Sequence, residues 1–323
     1  MISGLVIGKF YPPHAGHQFL IETALSKVDW LDVVVCERPD QSISGELRAS
    51  WLRELYPHAH VRVVADICDD ENSQRWAEYT RQFLDRTPDV VFTSEDYGER
   101  FAGYLRCRHV LVDRDRKHCS ISGTEIRQAP LRHLQYLAPC VRAHYVKRIC
   151  IVGAESTGTT TLSQDLAVHY RTTWVPEYGR SYSEKKLARA GSMNAITWST
   201  DDFIHIARTQ LLKENEAARN ANQILICDTD ALATVVWHER YMGHWSEQVA
   251  VISNERRYDL YILTDCDIPF VQDGTRDGEH MRQWMTARFQ EVLTQRGEKW
   301  ILVSGSRAAR LRSAITAIDP LLA

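Results

Sequence analysis

The sequence predicts an α/β chain made of two doubly wound parallel-sheet domains in tandem. Three observations predict it. Short apolar runs recur along the chain, among them Leu5-Val6-Ile7, Val33-Val34-Val35-Cys36, Ile149-Cys150-Ile151-Val152 and Tyr261-Ile262-Leu263. Segments of helical period separate these runs, and turns rich in glycine or hydroxyls follow several of them. An unbroken apolar run is what a strand buried on both faces presents, and strand–helix alternation gives a parallel sheet covered on each side. The 323 residues are enough for two domains, each with its own core. A boundary between Arg142 and Lys147 divides them as 1–145 and 146–323.

The first half opens on the strand Leu5-Val6-Ile7 and the turn Gly8-Lys9-Phe10-Tyr11-Pro12-Pro13-His14-Ala15-Gly16-His17, after which Phe19 to Leu25 begin a helix. Such a turn presents backbone N–H groups and a positive helix terminus, for which phosphate is the usual occupant. His14 and His17, with a glycine between them, suit two donors aimed at one polyphosphate. Val33 to Cys36 is the second strand, Leu47 to Leu55 a helix, and Val61 to Val64 the third strand. A helix from Glu71 to Leu84 carries Trp76 and Phe83; Val90-Val91-Phe92 and Val110-Leu111-Val112 complete the strands. Then comes Ser120-Ile121-Ser122-Gly123-Thr124-Glu125-Ile126-Arg127. Hydroxyls at Ser122 and Thr124 suit a helix cap, and Arg127 reaches phosphate oxygens from the next turn.

The second half repeats the plan with different chemistry. The strand Arg148 to Val152 leads into Gly153-Ala154-Glu155-Ser156-Thr157-Gly158-Thr159-Thr160, the spacing of a phosphate-binding P-loop with Thr159 at the lysine position. Gly153 and Gly158 let the loop wrap phosphates, with Glu155 and Ser156 inside it, and Thr160 is placed to hold Mg²⁺. The absent ammonium is one that ordinarily neutralises the transferring phosphoryl group; Lys147, Lys185 and Lys186 are candidate substitutes. Asn222 to Cys227 is a strand ending at Asp228-Thr229-Asp230, whose carboxylates suit Mg²⁺ ligation or acceptance of a hydroxyl proton. Tyr258 to Leu263 is a further strand, followed by Asp273-Gly274-Thr275-Arg276, in which Arg276 suits a lid over phosphates. Trp300 to Val303 is the last strand, before a helix from Leu311 to Ile318. Glu177-Tyr178-Gly179-Arg180 reads as a Tyr-Gly turn bracketed by opposite charges. It suits a ribose with a phosphate, and equally an internal ion pair.

Together these motifs resemble the bifunctional nicotinamide-mononucleotide adenylyltransferase / ribosylnicotinamide kinase family (NadR), over nearly the whole chain. The likeness rests on Gly8 to Pro12 with His14 to His17, Phe92-Thr93-Ser94-Glu95 and Ile121 to Arg127. In the second half it rests on Gly153 to Gly158, Glu177 to Arg180, Asp228 to Asp230 and Asp273 to Arg276. It implies a Rossmann-like nucleotidyltransferase followed by a P-loop kinase-like domain. The first would join nicotinamide mononucleotide (NMN) and ATP into NAD and pyrophosphate; the second would phosphorylate nicotinamide riboside with ATP, each with Mg²⁺. In the first, the resemblance implies ATP and phosphate contacts for Gly8, Lys9, Phe10, Ser122, Thr124, Ser94 and Glu95, with His14, His17 and Arg127 catalytic. Trp76 is a candidate to stack on the pyridine ring, and equally a core aromatic on its helix. In the second, Glu177, Tyr178 and Arg180 are substrate residues, Asp228 or Asp230 takes the riboside proton, and Thr160 and Asp228 hold the metal.

Some family members begin with a helix-turn-helix that binds DNA; here the first strand starts within a few residues of Met1, leaving no room for one. The formal charge of −3 gives no pull toward nucleic acid. The eight cysteines (Cys36, Cys68, Cys107, Cys119, Cys140, Cys150, Cys227 and Cys266) form no C-x-x-C pair and read as reduced packing residues of a cytoplasmic protein. No leader and no long apolar span points to secretion or a membrane. The resemblance is compatible with a homo-oligomer. Thr159 keeps open an alternative, a monofunctional adenylyltransferase whose second domain senses nucleotide or is structural. A transferase for another phosphorylated acceptor would use the same first-half motifs.

Overall fold

A computed structural model describes residues 1–115, 117–192, 195–274 and 276–322. Thr275, in the run read as a lid, lies outside the described residues. The chain divides into two compact units, Met1–Val141 and a second from Arg142 onward.

The first unit runs β1 (Ser3–Gly8), α1 (Ala15–Leu25), β2 (Trp30–Glu37), α2 (Gly45–Leu55), β3 (His60–Ala65), α3 (Ser73–Phe83), β4 (Val90–Thr93), α4 (Tyr97–Leu105), β5 (Arg108–Leu111), α5 (Gly123–Gln128) and α6 (Pro139–Tyr145). The break between units falls inside α6. The sheet is parallel in the order β3-β2-β1-β4-β5. Both of its faces are buried, as the unbroken apolar runs require. Val6 packs with Leu20, Ile21 and Val33 on one side, while Leu5 and Ile7 pack with Val91 and Phe101 on the other. Strand order reverses at β1, so the crevice beyond the C-terminal ends of β1 and β4 is where such a sheet takes ligands.

The second unit runs β6 (Lys147–Gly153), α7 (Thr159–Tyr170), β7 (Trp174–Val175), α8 (Tyr178–Ala190), α9 (Thr200–Ala218), β8 (Ile224–Asp228), α10 (Ala231–Met242), α11 (Glu247–Ser253), β9 (Leu260–Thr264), α12 (Arg282–Gln295), β10 (Trp300–Val303) and α13 (Arg307–Ile318). Its parallel sheet has the order β10-β9-β6-β8-β7, with the P-loop strand β6 in the centre. Ile149 and Ile151 pack on one face with Leu162 and Leu166, and Cys150 and Val152 on the other with Phe289 and Leu293.

Two expectations change. Tyr178 to Arg180 form the first turn of α8, not a Tyr-Gly turn, because Gly179 keeps an ordinary backbone there and Tyr178 N–H finds Gln210 Oε1 at 3.0 Å. Five of the eight cysteines are buried, but Cys68 is exposed and packs no core. Among the described residues, no helix is long and apolar enough to cross a membrane.

Candidate active sites

In the first unit, the turn after β1 carries Phe10 in the left-handed region (φ 44°), which sends its ring into the core and leaves its backbone at the crevice. His14 is extended and caps α1, its Nδ1 accepting from Gly16 N–H at 3.1 Å. That bond puts the proton of the neutral ring on Nε2. His17 sits one turn on, its ring centroid 3.9 Å from that of His14 and 5.0 Å from that of Phe10. Tyr11 links this turn to α5. Its ring lies 4.5 Å under the Arg127 guanidinium, and Arg127 also donates to the Tyr11 carbonyl and to Thr124 Oγ1 at 3.0 Å. A Cβ on Gly123 would stand 2.7 Å from that carbonyl oxygen, so only glycine permits the approach. Ser122 caps α5 in a capping box with Glu125.

All of these residues but Glu125 line one cavity of about 540 Å³, within the range of small-molecule and cofactor sites. Gly8, Lys9, His14, His17, Thr124 and Arg127 face it together with Ser94, Glu95 and Trp76. Lys9 is held by Asp70 at 3.0 Å, and Arg38 bridges Asp66 and Asp70 at 3.0 and 2.9 Å. Trp76 is half-buried, its indole N–H bound to the Asp69 carbonyl at 3.0 Å. It serves both the α3 packing and the cavity wall.

In the second unit, Ser156 (φ 58°) and Gly158 (φ 84°) turn the loop after β6 back on itself before α7. Buried arginines anchor its backbone: Arg310 donates to the Thr157 carbonyl at 2.5 Å, and Arg282 to that of Ser156 at 3.3 Å. Glu155 pairs with Arg240 at 2.8 Å and accepts from Gly278 N–H at 2.7 Å. Thr160 Oγ1 donates to Asp228 Oδ2 at 2.6 Å, and burial raises the Asp228 carboxyl to about 6. Asp230 is turned elsewhere. It caps α10 through Ala233 N–H at 2.7 Å and accepts from the Tyr261 hydroxyl at 2.7 Å, in the core. The cavity wall instead holds Glu177, whose carboxyl is pushed up to about 8 by desolvation and by the nearby Asp228 charge. Arg180 pairs with Glu184 and Asp273, not with Glu177. Trp198, Phe203, Trp237 and Tyr241 form an aromatic wall, with Trp198 and Tyr241 centroids 5.2 Å apart.

Residues 148–310 match the family model of an AAA domain. Over 297 residues the chain is 31% identical to the trifunctional NAD biosynthesis/regulator protein NadR of Escherichia coli (strain K12), spanning 84% of this chain and 71% of that protein. The chain belongs to the NadR family. A NadR structure in complex with NR aligns at a TM-score of 0.78 and 22% identity, over 99% of this chain and 96% of that one. A second NadR structure, with NAD and AMP-PNP, gives 0.76 and 23% over the same shares. At those identities both bear on the fold, which they share with this member of the NadR family.

Sequence reasoning missed three things in this NadR-family chain. Buried Arg48 of α2 donates to the Lys9 and Cys36 carbonyls and to Gln41 Oε1, fixing the turn after β1. Arg282 and Arg310 do the same for the P-loop. The aromatic wall was missed because its members lie on separate elements. An arginine in the apolar stripe of a helix was the available signal for Arg48.

Among the described residues, no cluster of three or more His, Cys, Asp or Glu is arranged to hold a metal with protein ligands alone. Thr160 and Asp228 nonetheless fit Mg²⁺, which keeps waters and substrate phosphates as its other ligands. Both are hard oxygen donors, and Asp228 Oδ1 is buried with no partner at hydrogen-bond geometry among the described residues, although the Thr159 hydroxyl also acts on this carboxyl.

Proposed function

We propose that the first unit transfers the adenylyl group of ATP to NMN, giving NAD and pyrophosphate. The second unit phosphorylates nicotinamide riboside with ATP, supplying that NMN. The observation that carries the first reading is the meeting of Lys9, His14, His17, Thr124 and Arg127 on one cavity at the switch point of a parallel sheet. An NMN phosphate oxygen attacks the α-phosphorus in line, the bond to the β-phosphate bridging oxygen breaks, and pyrophosphate leaves. Positioning and charge neutralisation carry such a step. His14 and His17 hold the phosphates in exchange, Thr124 and Arg127 the departing pyrophosphate, and Ser94 and Glu95 lie by the nucleotide. Trp76 takes the pyridine ring.

In the second unit the riboside 5′-oxygen attacks the γ-phosphorus, the bond to the ADP oxygen breaks, and Glu177 receives the hydroxyl proton. Its carboxyl faces the cavity, whereas both Asp230 oxygens are engaged in the core. Trp198 and Tyr241 suit a planar cationic ring. Thr160 and Asp228 would hold Mg²⁺, which when bound neutralises phosphate charge.

Chromatography of products from Mg-ATP with riboside, and separately with NMN, tests both steps. NAD from both feeds is the expected result. NAD from NMN alone would establish the second reading, favoured by Thr159, of an adenylyltransferase with a silent P-loop unit. NAD from neither would overturn both.

A further inference from the structure

The P-loop of the second unit lacks its lysine, yet the cavity it borders is not without positive charge. Among the described residues lining that cavity, the cationic side chains are Arg180 and Arg276. They come from different elements and meet on one oxygen. Arg180, in the first turn of α8, reaches Asp273 Oδ2 at 2.7 Å, and Arg276 Nε reaches the same atom at 3.1 Å. Arg180 is steadied further by Glu184 at 3.2 Å. The three lysines the sequence offers are committed elsewhere or stand off the cavity. Lys147 pairs with Asp259 at 3.0 Å, at the opposite end of β6 from the loop. Lys186 binds Asp202 and the Thr197 carbonyl, each at 2.7 Å, and exposed Lys185 does not line the cavity.

We propose that Arg180 and Arg276, posted together on Asp273, replace the missing P-loop lysine as the charge that grips the ATP phosphates. This rests on reading the second unit as an ATP-dependent kinase. The placement of Arg276 is built in, because the chain on either side of it is hydrogen-bonded to the P-loop. Val271 N–H donates to Ser156 Oγ at 2.8 Å, and Gly278 N–H to Glu155 Oε2 at 2.7 Å. Both guanidiniums stand in the cavity wall while pinned by their neighbours, Arg180 through Nε on Glu184 and Nη2 on Asp273, and Arg276 through Nε on Asp273 and Nη1 on the Val271 carbonyl. A planar guanidinium held in place at a cavity wall suits phosphate oxygens. The charge also reaches Glu177 in the same cavity wall, whose carboxyl Arg180 pulls downward against its burial.

The test uses the full chain with Arg180→Ala, Arg276→Ala, both together, and both with Thr159→Lys added. Affinity for a fluorescent ATP analogue with Mg²⁺ is read beside riboside phosphorylation. The expected result is a loss of about a hundredfold in turnover for each single variant, the cost of one electrostatic contact. The double variant should lose ATP-analogue affinity, and Thr159→Lys should return at least a tenth of both quantities. Arg180→Lys and Arg276→Lys, which keep the charge, guard against a folding defect and should retain partial affinity. Arginine variants that bind the analogue as the parent does would overturn the proposal, as would a double variant that Thr159→Lys leaves unrescued. If the parent phosphorylates no riboside, the kinase reading falls, and the affinity measurements still decide the role of the arginine pair.

Discussion

The imidazoles of His14 and His17 lie 3.9 Å apart, centroid to centroid, with their planes 40° from one another. The first is fixed by capping α1, and the second leans on the Phe10 ring. Two ring donors held this close suit a single phosphate group. His17→Ala should therefore cut adenylyl transfer by about a hundredfold or more. His17 is only half-buried, so the unfolding temperature should move little. Near-normal turnover of ATP and NMN would remove the pair from the mechanism.

Gly123 sets the distance between the two halves of that site. A methyl there would stand 2.7 Å from the Tyr11 carbonyl, a backbone atom that cannot swing aside. Gly123→Ala should push the start of α5 away and carry Thr124 and Arg127 off the phosphates. We expect a rise in the KM for ATP and a fall in kcat of about tenfold or more, since small misplacements of positioning groups are costly. Steady-state kinetics with NMN check this; unchanged constants would mean that the turn after β1 yields.

The central strands were legible because both of their faces are buried, which turns Leu5-Val6-Ile7 and Ile149 to Val152 into unbroken apolar runs, whereas the two-residue edge strand β7 offers no such run and was not read. The glycine turns at their ends were legible for the same reason, being the punctuation between run and helix. What escaped were side chains whose partners lie far along the chain. Arg48 holds the Lys9 carbonyl, and Arg310 holds that of Thr157, across separations no local pattern records. The pair Asp228 and Asp230 shows another limit. Alternation along a strand would aim both carboxylates the same way, but Thr229 adopts a left-handed backbone (φ 70°) and breaks it. Asp228 then meets Thr160, and Asp230 enters the core.

That division makes a stability prediction. The Tyr261 hydroxyl donates to Asp230 at 2.7 Å where both residues are buried. Tyr261→Phe leaves a buried carboxylate oxygen short of its partner, a cost of about 1–3 kcal/mol. The second unit should unfold several degrees earlier in a thermal scan, while riboside phosphorylation at a permissive temperature persists. Lost turnover with an unchanged melting profile would return Asp230 to the chemistry.

Glu177 gives the pH dependence. Burial lifts its carboxyl to about 8, Asp228 and Glu155 push the same way, and Arg180 and Arg276 only partly oppose them. A proton acceptor must be ionised, so kcat/KM for riboside phosphorylation should climb up to tenfold per unit as pH rises toward 8, then level off. The sign for stability is opposite. Unfolded, this carboxyl ionises near its ordinary 4.5, so between that value and about 8 the folded chain holds the extra proton. Its contribution is present in acid and is lost as pH rises through that window. Glu177→Gln cannot ionise, and should leave a low, pH-flat rate together with a smaller fall in denaturant midpoint between pH 5 and 8. A variant that keeps the parental pH–rate slope would show that another group takes the riboside proton, and Asp228, raised to about 6, would be the one to test next.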